Sequence, residues 1–447
     1  MREGKFDIAH VMSIISILYI NNAFFGFIKQ KTILNAFCLL CMVMWFIVAT
    51  LNINYLQNCF QACYPLIIYT VFLIVAYFFT GSNMDSGLWQ DLRNAFFSLI
   101  CSFLCLYILP QDRKTKRNAL FFLLLNILLG CVYTLYRLQE NPLLSRMLAM
   151  GPKGVEEYLG GSVFTTGIIT YGGIYGMALI IPSFLYWISQ NQGKEKLVPI
   201  MISIIIILTI FKAQFAIALF SVIASIVLYL LLCRGQSDYR YFISFLLVVI
   251  VFVVAMNWNH ILNALHSANI LPSALQQKAN ELLLYSEGDE LSGTNLYSRS
   301  TYYARSFDAI VQNNFVGKIF TNKASGAGHS EWEDMAANYG IIAPVLVFFF
   351  FRGFTKKISI YLKGNAYFAY RIQLLIFLIV GFVDPIFHSR TMSYLIFLSP
   401  LILSMNPNNG DKRNLDSTTK QIGSKYIYLR RIDDYDSTLH SKYIFNK

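Results

Sequence analysis

Charge is what this chain has least of. Of its 447 residues only 13% are Asp, Glu, Lys or Arg, about half of the roughly 25% typical of soluble domains. With 56% hydrophobic residues and a mean hydropathy of +0.51, a water-soluble globular fold is excluded. No internal repeat is visible, which weighs against the paired halves common in secondary transporters. The N-terminus shows no signal peptide with a cleavage site, so its first apolar run reads as a retained span. The longest polar segment contains no cysteine. All eight (Cys38, Cys41, Cys59, Cys63, Cys101, Cys105, Cys131 and Cys233) lie in or beside apolar runs. A disulfide framework in that segment is therefore excluded, and Cys38-x-x-Cys41 reads as small core hydrophobes rather than a redox or zinc pair. No cluster of metal ligands and no separate basic module stands out, so neither a metal nor nucleic acid is expected, despite a formal net charge of +12.

What the chain does have is apolar runs of membrane-spanning length, about 20 residues each. We read twelve: near 8–28, 33–51, 60–79, 91–109, 118–136, 166–189, 197–211, 214–233, 241–257, 339–354, 368–382 and 391–405. The expected fold is an all-α polytopic membrane protein with one large extracytoplasmic loop. Spans one to nine fill residues 1–257, the loop with amphipathic helices 258–338, spans ten to twelve 339–405, and a polar cytoplasmic tail 406–447. Basic residues mark every second connection: Arg113, Lys114, Lys116 and Arg117; Lys194 and Lys196; Arg234 and Arg240; Arg352, Lys356, Lys357 and Lys363. By the positive-inside rule these face the cytoplasm, with both termini inside. Lys29 and Lys31 go against that pattern in the first connection. The net charge follows from such loops.

Two outer connections are long, 137–165 and 258–338. The second, about 80 residues, far exceeds the usual few-residue connection and points to function. It closes on Gly326-Ala-Gly-His-Ser-Glu-Trp-Glu-Asp and runs into an apolar span. Ser330 followed by Glu333 has the spacing of a capping box, which predicts a helix start there and sets His329 at its mouth. Upstream, residues 295–314 carry Tyr303, Phe307, Ile310 and Val311 on one helical stripe, an amphipathic helix suited to a membrane surface.

This constellation has a chemical logic. Outside the inner membrane there is no ATP, so an activated donor must arrive ready-made, and the natural one is a sugar on a lipid diphosphate. Its leaving group needs no glycosidase-type carboxylate pair. It needs one base for the acceptor hydroxyl and cations for the charge gathering on the diphosphate. His329 is the candidate base; the plainer alternative is a surface or capping histidine. Arg299 and Arg305 are candidate clamps, since a guanidinium fork binds phosphate oxygens bidentately; ordinary loop arginines are the alternative. Lys212, at a tight hairpin tip between two spans, is costly there unless it reaches the interface or a polar cavity, although snorkelling also accounts for it. Glu333 is a candidate to orient His329, while acids in a first turn also complement the helix dipole. Asp384, His388 and Arg390, between the last two spans, are candidates for the acceptor side or an interfacial turn.

His329-Ser330, then nine residues, then Gly340 and an apolar span, resembles the histidine motif of the O-antigen ligase and polymerase superfamily. Ser298-Arg299 before an aromatic helix resembles that family's loop arginine. Lys212 stands where the family usually has an arginine. The motifs run from Lys212 to Val347. The resemblance implies a GT-C-like, metal-independent and cofactor-free glycosyltransferase of the bacterial inner membrane. It also implies an undecaprenyl-diphosphate-linked oligosaccharide as substrate and a polysaccharide chain-length regulator as candidate partner. His329 would be the base, with Lys212, Arg299 and Arg305 on the diphosphate. Within that family a repeat-unit polymerase is the expected activity and a ligase to lipid A–core the runner-up. A lipid-linked-sugar flippase is the competing class.

Overall fold

The computed structural model describes residues 8–21, 31–80, 86–149, 169, 171–233, 272–287, 295–321, 323–387 and 389–405. The ninth expected span, the C-terminal tail and His388 lie outside them. Among the described residues the chain is all-helical, without a strand, and six helices are long and apolar enough to cross a membrane. Helices α1 (Ile8–Asn21), α2 (Lys31–Thr50), α3 (Ile53–Thr80), α4 (Ser86–Ile108) and α5 (Arg113–Glu140) come first. A short α6 (Leu144–Ala149) precedes α7 (Tyr171–Leu179) and α8 (Ile181–Gln190). The sixth expected span is thus two helices that meet at Ile180. Pro182 lies in the first turn of the second helix, where its missing N–H costs nothing. Then come α9 (Leu197–Ala213) and α10 (Ala216–Leu232), joined by Gln214 in the left-handed region (φ 61°).

Among its described residues the long polar segment holds four helices joined by turns: α11 (Ser273–Glu287), α12 (Asn295–Gln312), α13 (Lys318–Thr321) and α14 (Glu331–Tyr339). The chain closes with α15 (Ile342–Ile358), α16 (Asn365–Val380) and α17 (Arg390–Ser404). One continuous apolar core joins the long helices, with Trp45, Tyr69, Tyr370, Tyr394 and Phe397 fully buried. Apolar residues also cover the outside. Ile33, Leu40 and Ile47 of α2 are exposed, as expected of side chains that meet lipid rather than water.

The helix ends fall into two groups. At one end Tyr339 donates to Asp91 at the start of α4, and Phe215 packs on Tyr171 and Tyr175 at the start of α7. At the other, Lys357 donates to Asn58 (2.5 Å) and the Cys233 thiol faces the Asn365 carbonyl (3.9 Å). Arg113, Lys194 and Lys356 belong to this second, basic end. The polar segment 295–340 sits at the first.

Backbone approach fixes how that segment enters α15. Gly317 (φ 96°) and Gly340 (φ 84°) lie back to back: a Cβ on Gly317 would stand 2.4 Å from the Gly340 nitrogen. Only glycine tolerates both the positive φ and that distance. The Ile341 amide donates to the Phe315 carbonyl (3.0 Å) and seals the crossing.

Candidate active site

The site is built on the turn before α14. Ser330 has extended backbone angles and its Oγ accepts from the Glu333 amide (3.4 Å), the N-cap expected from the sequence. The reciprocal bond differs from the expected box. It is Asp334, not Glu333, that accepts from the Ser330 amide (2.8 Å). The reason is a neighbour from another helix: Ser306 of α12 donates to Asp334 (2.6 Å) and accepts from the Ala327 amide (2.9 Å). Gly326 closes this side, since a Cβ there would lie 2.5 Å from the Asp334 carboxylate.

On its other side the turn is tied to residues 378–387. The Glu331 amide donates to the Gly381 carbonyl (2.8 Å), and the fully buried Glu331 carboxylate accepts from the Phe387 amide (2.8 Å). The Trp332 indole donates to the Leu378 carbonyl (2.8 Å) and lies against Gly381. His329 is therefore held between two fixed strips of backbone. Its ring stacks on Tyr302, centroids 4.0 Å apart and planes 15° from parallel.

Helix α12 supplies the rest. Arg299, Tyr302, Tyr303 and Ser306 recur at three- and four-residue spacing and so share one face. Arg299 donates to the Val383 carbonyl (3.0 Å) and to Asp384 (3.1 Å). Tyr303 donates to the same Val383 carbonyl (3.1 Å). Asp384 is buried, with a side chain 4% exposed against 32% for Arg299. It also accepts from the Tyr175 hydroxyl, and Tyr171 bears on the same carboxylate.

The electrostatics favour a neutral imidazole. Partial burial lowers the His329 pKa, and the Arg299 charge lowers it further; Asp334 and Asp384 pull the other way without reversing it. Burial raises the Asp384 carboxyl above its usual range, against the opposing pull of Arg299 and the Tyr175 bond. A half-buried imidazole that stays unprotonated near neutrality can accept a proton, which a protonated one cannot.

The sequence-derived residues divide as follows. His329, Arg299 and Asp384 come together, and Asp384, a candidate for the acceptor side or an interfacial turn, is paired with the arginine. Arg305 is exposed, off the face that carries Arg299. Lys212 is exposed at the α9 tip, three residues before Phe215, whose ring lies 5.8 Å from Tyr171 and 6.1 Å from Tyr175. Neither cation forms an ion pair with a described residue. Glu333 was a candidate to orient His329. The acids that act on the imidazole are instead Asp334 and Asp384, and Glu333, its pKa raised by burial and by Asp334, lies near Tyr303. Arg390 turns to α4, its guanidinium 5.1 Å above the Phe97 ring. The stripe expected to lie on a membrane surface divides: Phe307 and Val311 are exposed and Ile310 is buried, while Ser306, Ala309 and Asn313 face inward.

Tyr175, Tyr171, Tyr302 and Ser306 join the site without being among the residues the sequence predicts for it. The one available signal was Tyr171-Gly-Gly-Ile-Tyr175, two hydroxyls one helical turn apart. Gly172, Gly173 and Gly176 let that helix press against Ser389, Thr391 and Leu395 of the last hairpin, which carries Asp384 within reach. Among the described residues no group of three His, Cys, Asp or Glu side chains is placed to hold a metal ion. Two clefts lie elsewhere: an apolar one lined by Trp45, Phe46 and Phe103, and one at the basic end between α15 and α16.

Among the described residues the fold is all-helical, with six helices long and apolar enough to cross a membrane and a histidine–arginine–aspartate cluster at one end. No protein-family model matches the chain, and no curated protein matches it.

Proposed function

We propose that the chain is a polytopic glycosyltransferase of the bacterial inner membrane that polymerises lipid-linked oligosaccharide repeat units. In this reading twelve spans surround one large extracytoplasmic loop, and the basic end of the bundle faces the cytoplasm. The growing glycan leaves undecaprenyl diphosphate and joins the non-reducing end of a new lipid-linked unit. His329 takes the acceptor hydroxyl proton as that oxygen bonds to the anomeric carbon, and the lipid diphosphate departs with the electron pair. The observation that carries the reading is the His329 ring stacked on Tyr302, with burial and the Arg299 charge both lowering its pKa.

Arg299 has a double task on this account. A guanidinium has five N–H donors. Two are engaged by Val383 and Asp384, which fixes its plane and leaves donors for phosphate oxygens. Arg305 and Lys212 are the further cations the diphosphate would recruit, and the chain-length regulator is the partner the polymer would require. The ligase that passes finished glycan to lipid A–core shares this chemistry and differs in its acceptor. A flippase would instead place ionisable groups along a path through the spans. The glycan profile of a deletion strain tests the proposal. A single capped or lipid-linked repeat unit is expected. Full-length glycan stranded on the carrier lipid would indicate the ligase, and an unchanged profile would refute both.

A further inference from the structure

The basic end carries a second feature that the glycosyltransferase reading does not use. Between α15 and α16 lies a cleft of about 520 Å³, lined by Phe348, Phe351, Arg352, Thr355, Lys356, Tyr367, Arg371, Leu374, Leu375 and Leu378. Phe348, Arg352 and Lys356 follow at four-residue spacing on α15, as do Tyr367, Arg371 and Leu375 on α16, so each helix contributes one face. The two helices are antiparallel. Lys356 and Tyr367 therefore mark the end of the cleft nearest the connection, Arg352 and Arg371 come next, and Phe348, Leu375 and Leu378 lie furthest in.

Charge in this cleft has no local counterweight. From Met335 to Val383 the sequence contains no Asp or Glu, but it contains Arg352, Lys356, Lys357, Lys363 and Arg371. Lys357 is occupied by Asn58, whereas Arg352, Lys356 and Arg371 are exposed and form no ion pair with a described residue. Arg371 also lies 5.8 Å from the Tyr367 ring centroid, held above the aromatic face. Each arginine sits six residues inside its helix from the connection, about 9 Å at 1.5 Å per residue. Arg352 and Arg371 line the same cleft, and an anion bound between them would offset their like charges. Beyond them the lining turns apolar, with Phe348 53% and Leu375 45% exposed.

We infer that this cleft is a binding site for an anionic phospholipid. The headgroup phosphate lies between Arg352 and Arg371 with Lys356 and the Thr355 hydroxyl at its edge, and an acyl chain runs over Phe348, Leu375 and Leu378. A polar mouth grading into an apolar floor matches an amphiphile and not a free anion. Basic pockets between spans on the cytoplasmic side are a known means of holding such headgroups. The inference is independent of the glycosyltransferase reading.

Native mass spectrometry of the full chain in a mild non-ionic detergent, titrated with dioleoyl phosphatidylglycerol or dioleoyl phosphatidylcholine, tests it. Phosphatidylglycerol should bind in preference to phosphatidylcholine, and Arg352→Gln/Arg371→Gln should weaken it at least tenfold. Arg113→Gln/Lys116→Gln, which removes the same charge elsewhere on the basic end, should change it less than twofold. Millimolar inorganic phosphate should not displace the lipid. Equal binding of the two lipids, equal losses in both double variants, or displacement by phosphate would each overturn the assignment. Hydrogen exchange on the wild type keeps the test open if the arginine variant does not fold. Phosphatidylglycerol should protect residues 352–371 beyond the effect of phosphatidylcholine, and equal protection would overturn it.

Discussion

Replacement of Asp384 by asparagine probes the contact on which the site's geometry turns. The carboxylate lies 3.1 Å from the Arg299 guanidinium, which at an effective dielectric of ~20 corresponds to about 5 kcal/mol of attraction. Desolvation returns several kcal/mol for each ion taken out of water, so the net value of the pair is much smaller. The two partners are also unequal: Asp384 is 4% exposed and Arg299 32%. An orphaned Arg299 can hydrate in part, whereas an orphaned Asp384 cannot. Asp384→Asn should therefore cost about 1–3 kcal/mol, and Arg299→Gln more, up to the ~3–5 kcal/mol of a broken buried pair. A double-mutant cycle should give a coupling of about 1–2 kcal/mol, since the double variant leaves no buried charge behind. Reversible unfolding in mixed micelles, followed by tryptophan fluorescence, provides the readout; Trp332 packs on Gly381, three residues from Asp384. If the double variant loses the sum of the single losses to within about 0.5 kcal/mol, the pair is not an energetic unit and the positioning of Arg299 needs another explanation.

Other predictions concern charge, space and pH. Removing the Arg299 charge takes away one of the influences that lower the His329 pKa, so Arg299→Gln should move the imidazole's titration up and Asp384→Asn should move it down. Diethyl pyrocarbonate modification of His329 against pH, read by peptide mass spectrometry, measures this without any activity; shifts of the same sign would contradict the geometry. In the wild type the acidic limb of activity should lie below the usual imidazole range near ~6.5, because the base works only unprotonated. Lys212→Ala should depress glycan transfer far more than Lys212→Arg in a cellular profile, and equal activity would remove Lys212 from the diphosphate clamp. Gly381→Ala would set a Cβ 2.4 Å from the Trp332 indole nitrogen. It should cost about 1–3 kcal/mol as an overpacked contact, and unchanged unfolding would show that the indole can move aside.

Much of the frame is readable from the sequence because membrane burial is a composition signal. The spans near 33–51, 91–109 and 197–211 appear as helices within a few residues of their expected ends. The cap at Ser330 is equally local. Its partner was not, because two acids, Glu333 and Asp334, stand near the cap and the choice is settled by Ser306, 28 residues away on another helix. Asp384 with Tyr175, separated by 209 residues, is likewise beyond any local pattern. The inward turn of Ser306, Ala309 and Asn313 has a related cause. Asn313 donates to the Ala324 and Ala337 carbonyls (2.6 and 3.1 Å), a polar tie that helps set which face of α12 turns inward.

Central to the account is an imidazole that accepts a proton while a sugar leaves a lipid diphosphate. The direct measurement is single-turnover transfer by the purified chain in lipid nanodiscs, with undecaprenyl-diphosphate-linked repeat units as donor and acceptor, for the wild type and His329→Gln. We expect products of two or more units from the wild type and a rate about 10²–10⁴-fold lower for the variant, with donor binding retained. Transfer by His329→Gln at the wild-type rate would contradict the account.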